Sequence, residues 1–590
     1  MKAFLEKLLL QSWGSPELVP DVAHKVETQT AVYGGEYAPM TSLLWCVSSL
    51  AIIYFFMYSV LLIVRLLGQL IPRYEGSILE GLMNKAELTL EFFPMTCVLF
   101  LAMQMQAIHA SGGREEPAKW LLTCMEVATA SLLLQTLLSV VLPALMVDSA
   151  AVDEEYIGDV GFVGGTQMIA EARTNVSSGE HRKVVRGSLM GLGVLCNYVA
   201  FIALQGSCAC ICFAVMKKHC EMWKDFSPLH PNPALSPAVS CTVNLTVLFF
   251  LVRFLLAVVR IWDDVATPKN AARKRACRSK FSEVLKLAAN TVFFAPMLCV
   301  LFIAAQVRAV QVGSPVQPWA HAAFHVCTIG MIVQTVLSIA LPMTSPCLGI
   351  DAKVGTKWMD GDIQFAAKDS DDRPFLNLSL VALRYLPILL VCGGFSVVIA
   401  SILSNCSADG STTPPVPPAT LCTIALTVQF FIVYLGLRIA VSIRQATHGD
   451  RGDGGVLVNT LYAAIATVHF CPMLAILYVA LRMRSQQVTL HGDPQEWAQY
   501  CMYLTTGAVF VQFLVCLVIG VVTGSPPEVA YETETFRVQR DGSKAAGGSA
   551  AIIDKVIIAV QGVSLVLLYG GAFAVCVALY TITPDAVSYF

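Results

Sequence analysis

The chain has 590 residues, of which 56% are hydrophobic and only 14% charged, with a mean hydropathy of +0.65 and a formal net charge of −2. A soluble globular chain carries about 25% charged residues, so a soluble enzyme and a disordered scaffold are excluded. With 39 Lys+Arg against 41 Asp+Glu there is no basic excess to neutralise phosphates, which excludes a nucleic-acid binder.

The apolar residues come in long blocks, the pattern of a multi-pass membrane protein. A bilayer core about 30 Å thick is crossed by about 20 apolar residues of helix. Residues 1–41 contain no such run, and the opening MKAFLEKLLLQSW reads as an amphipathic helix lying on a membrane surface. Twelve stretches follow, at 42–70, 86–109, 119–146, 188–216, 237–262, 284–311, 319–345, 377–403, 420–444, 457–483, 497–523 and 553–582. The expected fold class is therefore all-α integral membrane, with 12 transmembrane helices.

Lys and Arg near span ends set orientation. They concentrate in the odd-numbered loops, above all in the cluster Lys269, Arg273, Lys274, Arg275, Arg278 and Lys280. Those loops are expected to face the cytosol and both termini the other side. An endomembrane or the plasma membrane suits this best, with an organellar inner membrane as the alternative. Cys220, Cys241, Cys406 and Cys422 fall near the non-cytosolic ends, where bridges and free thiols both remain open, and Asn405-Cys406-Ser407 is a glycosylation sequon on that side.

The spans repeat in fours. Cys241-Thr-Val-Asn-Leu-Thr-Val-Leu-Phe-Phe matches Cys422-Thr-Ile-Ala-Leu-Thr-Val-Gln-Phe-Phe, with Phe55-Phe56 at the equivalent place in the first span. In the next helix Pro94-Met95, Pro296-Met297 and Pro472-Met473 align. In the third, Trp120 precedes Gln135 by the same interval as Trp319 precedes Gln334 and Trp497 precedes Gln512. In the fourth, Gln205-Gly206, Cys392-Gly393-Gly394 and Tyr569-Gly570-Gly571 align, with Gly206 opposite Gly393 and Gly570. The expected units are 1–41 (non-spanning), 42–217, 237–404 and 418–583. Four spans is an even number, so all three units point the same way. Their symmetry axis then runs along the membrane normal, and heterologous contacts close them into a pseudo-threefold ring, a fused trimer of four-helix bundles.

The recurring residues have simple structural roles. Pro94, Pro296 and Pro472 are expected to kink the second helices. Gln135, Gln334 and Gln512 are expected to bond across helices, or to make a polar ring if they face the axis. The paired glycines permit close helix contact. Intramembrane charge is scarce: Glu87, Glu91, Glu126, Lys286, Arg308 and Arg384 are the main cases, and acids do not recur from unit to unit. No His/Cys metal spacing, phosphate loop or Ser/His/Asp set is present in the sequence pattern.

Glu91-Phe92-Phe93-Pro94-Met95 resembles the Glu-x-x-Pro signature of the MAPEG family, the membrane-associated proteins in eicosanoid and glutathione metabolism. The resemblance implies four-helix bundles in a trimer, lumenal termini and a basic cytosolic loop after the first helix. The family pattern is a basic residue, Asn, Glu and Pro. The first unit keeps Glu91 and Pro94; the second keeps Lys286, Asn290 and Pro296, with Phe293 at the Glu place; the third keeps Pro472, with His469 there. By resemblance, a glutathione niche at a unit interface would use Glu91, or Lys286 and Asn290, with Arg65 or Arg260 from a first helix. The family's Arg- and Tyr-rich patch on helix 3 is missing here.

Three functions follow as expectations. The leading one is a non-catalytic scaffold or membrane-complex subunit, in contact with lipids and with other membrane proteins or copies of itself. The second is a glutathione-dependent transferase or lipid-metabolising enzyme with one composite site, glutathione being the only cofactor implied. The third is a channel or transporter along the axis.

Overall fold

The computed structural model describes residues 42–70, 89–111, 119–146, 180–224, 236–265, 284–285, 288–289, 291–312, 316–344, 350–354, 363–367, 374–404, 416–448, 460–461, 464–465, 467–488, 494–523 and 548–581. The amphipathic N-terminal segment, the basic cluster 269–280, Glu87, Lys286, Asn290 and the sequon lie outside them.

The described residues form twelve helices: α1 Ser42–Leu70, α2 Phe92–Ser111, α3 Lys119–Met146, α4 Glu180–Lys224, α5 Pro237–Val265, α6 Ala295–Val312, α7 Pro318–Thr344, α8 Pro374–Ser404, α9 Pro418–His448, α10 Cys471–Val488, α11 Glu496–Thr523 and α12 Gly548–Thr581. Each overlaps one of the expected spans. The described residues are helical apart from one antiparallel hairpin of β1 Ile350–Val354 and β2 Ile363–Ala367 between α7 and α8. Five residues per strand in a loop between apolar helices carry too weak a periodicity to be read from sequence.

Eight of the helices are long and apolar enough to cross a membrane: α1, α3, α4, α5, α6, α7, α9 and α11. In α2, α8 and α12 the described apolar stretches are shorter, Phe92–Gln106, Leu389–Ser404 and Val566–Leu579. Many large apolar side chains on the outer helices, such as Ile202, Phe213, Leu251, Ile432 and Val566, are exposed, as a lipid-facing surface requires.

Burial separates inner from outer helices. In α6, 83% of the membrane-length stretch is buried, against 33% in α11. The inner helices α2, α6 and α10 pack against one another. Each also meets the first helix of another of the expected four-helix units, here termed quartets: α2 meets α5, α6 meets α9, and α10 meets α1. The fourth helices follow the same order, with α4 on α5, α12 on α1, and Phe395 of α8 stacked on Phe431 of α9 at 4.3 Å. The third helices pack on their own fourth helices, α3 on α4, α7 on α8 and α11 on α12.

The glycine pairs explain the last contact. A Cβ on Gly394 would collide with Cys327 Sγ, and one on Gly571 with Thr505 Oγ1, whereas Gly393 and Gly570 face open space. Only the second glycine of each pair is needed for close approach. In the first quartet Ser207, 8% exposed, stands at that position, and Ala128 holds the place of Cys327 and Thr505. The larger residue has moved from one helix to the other.

The Trp landmarks are each the second residue of their helix, and Trp120, Trp319 and Trp497 are all exposed. That is the position an aromatic belt at a membrane boundary would give them. The glutamines do not form an axial ring. They lie on the outer helices α3, α7 and α11, and both amide atoms of Gln135, Gln334 Oε1 and Gln512 Nε2 are buried without a hydrogen-bond partner. The neighbouring threonine bonds instead: Thr136 to Thr89 at 3.0 Å and Thr335 to Thr291 at 2.9 Å. The third quartet has Phe513 in place of that threonine, and its Thr467 donates to the Ala464 carbonyl. Every described cysteine is a free thiol, Cys241 and Cys422 included.

Candidate functional site at the helix breaks

Each inner helix begins at a break. Glu91 is a turn before α2, Phe293 and Phe294 before α6, and His469 and Phe470 before α10. Proline explains this. It has no N–H and disfavours helical geometry in the residue before it, so it belongs in the first turn of a helix. Pro94, Pro296 and Pro472 occupy that first turn. They restart a helix rather than bend one in its middle. Leu474 N still reaches the Phe470 carbonyl at 3.0 Å, so the chain continues in nearly the same direction.

The break pushes one aromatic side chain into a neighbouring first helix, and the same packing occurs three times. Phe92 meets Phe249 edge-on at 5.9 Å, Phe294 meets Phe430 edge-on at 5.9 Å, and Phe470 meets Tyr54 edge-on at 6.3 Å. The same rings meet Phe250, Phe431 and Phe55 at 6.2, 6.3 and 6.4 Å with much smaller interplanar angles. This corrects the register of the first span: the recurring pair is Tyr54-Phe55, because Phe55 is fully buried while Phe56 is 55% exposed.

With that register, one more pair of positions comes into view. One turn after the first ring of each pair stand Tyr58, Arg253 and Tyr434; just before Phe92, Phe294 and Phe470 stand Glu91, Phe293 and His469. Arg253 Nη1 pairs with Glu91 Oε2 at 2.6 Å, and its guanidinium lies over the rings of Phe92 and Phe249 at 5.7 and 5.5 Å. His469 Nε2 and the Tyr58 hydroxyl share a hydrogen bond of 2.8 Å. Phe293 and Tyr434 make only a ring contact, at 6.1 Å. Phe293 also stacks on His469 at 5.7 Å, which joins α6 to α10 at the centre. Three interfaces are thus clasped at one level, by an ion pair, a hydrogen bond and an aromatic contact.

Of the residues expected in a glutathione niche, only Glu91 has a described side chain. It is 8% exposed and paired with Arg253. Arg65 and Arg260 lie in α1 and α5, but their side chains, like Lys286 and Asn290 entirely, fall outside the described residues. Sequence reasoning missed Arg253, Tyr58 and Tyr434. The signal was available, since each lies one helical turn after an aromatic that recurs, but the one-residue slip in the first span hid it.

A second polar layer lies further along the inner helices. Arg308 of α6 and Arg482 of α10 are almost fully buried and within electrostatic range of each other, and Arg308 donates to Gln311 Oε1 at 2.9 Å. Gln106 holds the position of Arg308 in the first quartet, and Arg484 in the third. The inner bundle is therefore side-chain filled at both levels.

The His469–Tyr58 clasp gives a test of modest size. Replacing His469 by Phe, as the second quartet has at this place, should cost about 1 kcal/mol of stability. A thermal melt of detergent-purified protein checks it, and an unchanged melt would show that the bond is idle. No family model and no curated protein matches the chain.

Proposed function

We propose that this protein is a non-catalytic membrane scaffold or complex subunit, built from three like-oriented MAPEG-like quartets at 42–217, 237–404 and 418–583 that close into a pseudo-threefold ring of twelve spans. The cyclic order of helix contacts and the threefold recurrence of one ring geometry support the architecture. The positive-inside pattern supports a cytosolic face at the helix breaks and both termini opposite.

One observation carries the scaffold reading over the transferase: the position where the MAPEG pattern places a ligand-binding Glu is spent on clasping units together. Glu91 is neutralised by Arg253, and its counterparts are Phe293 and His469. A thiol tripeptide would have to displace an ion pair that costs about 3–5 kcal/mol to break by removing one partner. The central packing of Phe293 on His469 argues against a conduction path in the same way.

Calorimetric titration with glutathione tests this. No binding at millimolar ligand, and no thiolate absorbance, is the expected result. Saturable binding would overturn the scaffold reading in favour of the transferase. Solubilised gently from its own membrane, the protein should migrate with partners or copies of itself; a lone particle would count against it.

A further inference from the structure

The third helices carry a polar side chain where a lipid-facing surface has no use for one. Glu126, His325 and Tyr503 each stand six residues after the Trp landmark of α3, α7 and α11. Six residues of helix rise about 9 Å, so all three lie at one level. They fall inside the membrane-length stretches Trp120–Ser139, Pro318–Ala340 and Glu496–Leu517, and all three are exposed. The faces around them are apolar: Val127, Leu134 and Leu137 on α3, and Val326, Ile329 and Val336 on α7, are exposed as well.

Glu126 breaks a rule that Glu91 keeps. Ionisable groups within a membrane normally face the bundle interior and pair there, as Glu91 does with Arg253. Glu126 is exposed, and no hydrogen bond or ion pair joins it to any described residue. His325 is its complement. Cys241 Sγ lies 3.5 Å from His325 Nδ1, which anchors the ring, and Nε2 makes no hydrogen bond with a described residue. A carboxyl group and an imidazole form a hydrogen bond whichever of them holds the shared proton, and the pair then carries no net charge. A phenol can donate to a carboxylate but leaves its charge in place, so the Tyr503 face is the poorer match.

Within one molecule the two groups stand on different quartets, and α3 and α7 each pack on their own fourth helix. Two copies in one membrane insert with the same orientation, which sets Glu126 of one at the depth of His325 of the other. We propose that copies of this chain associate side by side, the α3 face of one against the α7 face of the next, with Glu126 paired to His325 across the contact. Such a contact is heterologous, so it builds a ring or a row rather than a two-fold dimer. It rests on the scaffold reading and deepens it, by naming the partner as a second copy.

The test uses the full-length protein with two different tags, in mild detergent, and follows co-isolation of the two tagged forms over a dilution series. Glu126→His sets two imidazoles against each other, and His325→Glu two carboxyl groups. Each variant alone should associate about tenfold more weakly than the unmodified chain. Mixed, the two variants regain a carboxyl–imidazole pair at every contact between them, and association between the tags should return. Tyr503→Phe should change nothing. With Glu126 and His325 intact, a photoreactive phenylalanine analogue in place of Val127 should cross-link to α7 of another copy, which reads the contact even if a charge variant folds poorly. Variants that associate as well as the unmodified chain, a mixture no better than its components, cross-links to α3 or α11, or loss of association with Tyr503→Phe would overturn the contact. Particles that hold one copy together with other proteins would overturn it too, while leaving the scaffold reading intact; a lone particle that binds glutathione would remove both.

Discussion

Replacing Arg253 by Met should be the most damaging single change near the inner bundle. It would leave the Glu91 carboxylate buried beside Phe92 and Phe249 without the guanidinium that pairs with it. Removing one partner of a buried ion pair costs about 3–5 kcal/mol, whereas replacing both by apolar residues of similar volume is often neutral or stabilising. The double variant Glu91→Met/Arg253→Met should therefore melt near or above the wild type, while Arg253→Met alone melts far below it. The sign of that recovery matters more than its size. It is what a clasp gives, and a ligand-binding carboxylate would not require it. If Arg253→Met melts like the wild type, the pair contributes nothing to the inter-quartet contact.

The second large effect concerns the glycine pairs, where adjacent residues should respond in opposite directions. Gly571→Ala puts a methyl group into Thr505, and Gly394→Ala puts one into Cys327 and the Ala323 carbonyl. Overpacking of this kind costs about 1–3 kcal/mol. Gly570→Ala and Gly393→Ala meet nothing within 4 Å and remove a flexible residue from a helix, so they should stabilise by about 0.5–1 kcal/mol. Thr505→Ala should rescue Gly571→Ala, as the first quartet already does with Ala128 and Ser207. Melting curves of these variants check both signs; equal losses at both glycines of a pair would mean that helix approach is not the constraint.

The helices were the most legible part of the chain. A lipid-facing helix must be apolar over its whole length, so hydropathy alone located α3 at 119–146 and α11 near 497–523 with little error. The breaks before α2, α6 and α10 were less legible. Proline signalled a disturbance, but hydropathy cannot say whether it bends a helix or starts one. The site was legible only on one side. Glu91 stood out because intramembrane acids are rare, but its partner Arg253, inside the expected span 237–262, was passed over. The partner lies on another quartet, and a pairing between distant segments leaves no periodic mark in a single sequence. The glutamines misled for a related reason. They recur faithfully, yet the interhelical bond is made by the next residue, Thr136 or Thr335.

A density map of the full chain in lipid nanodiscs tests the central claim most directly. The expected map shows three quartets with the same orientation, α2, α6 and α10 innermost, and the ring closed by α1 of the first quartet lying against α10 and α12 of the last. A quartet with three or five spans, an inverted two-fold arrangement, or α1 standing apart from α10 would contradict it.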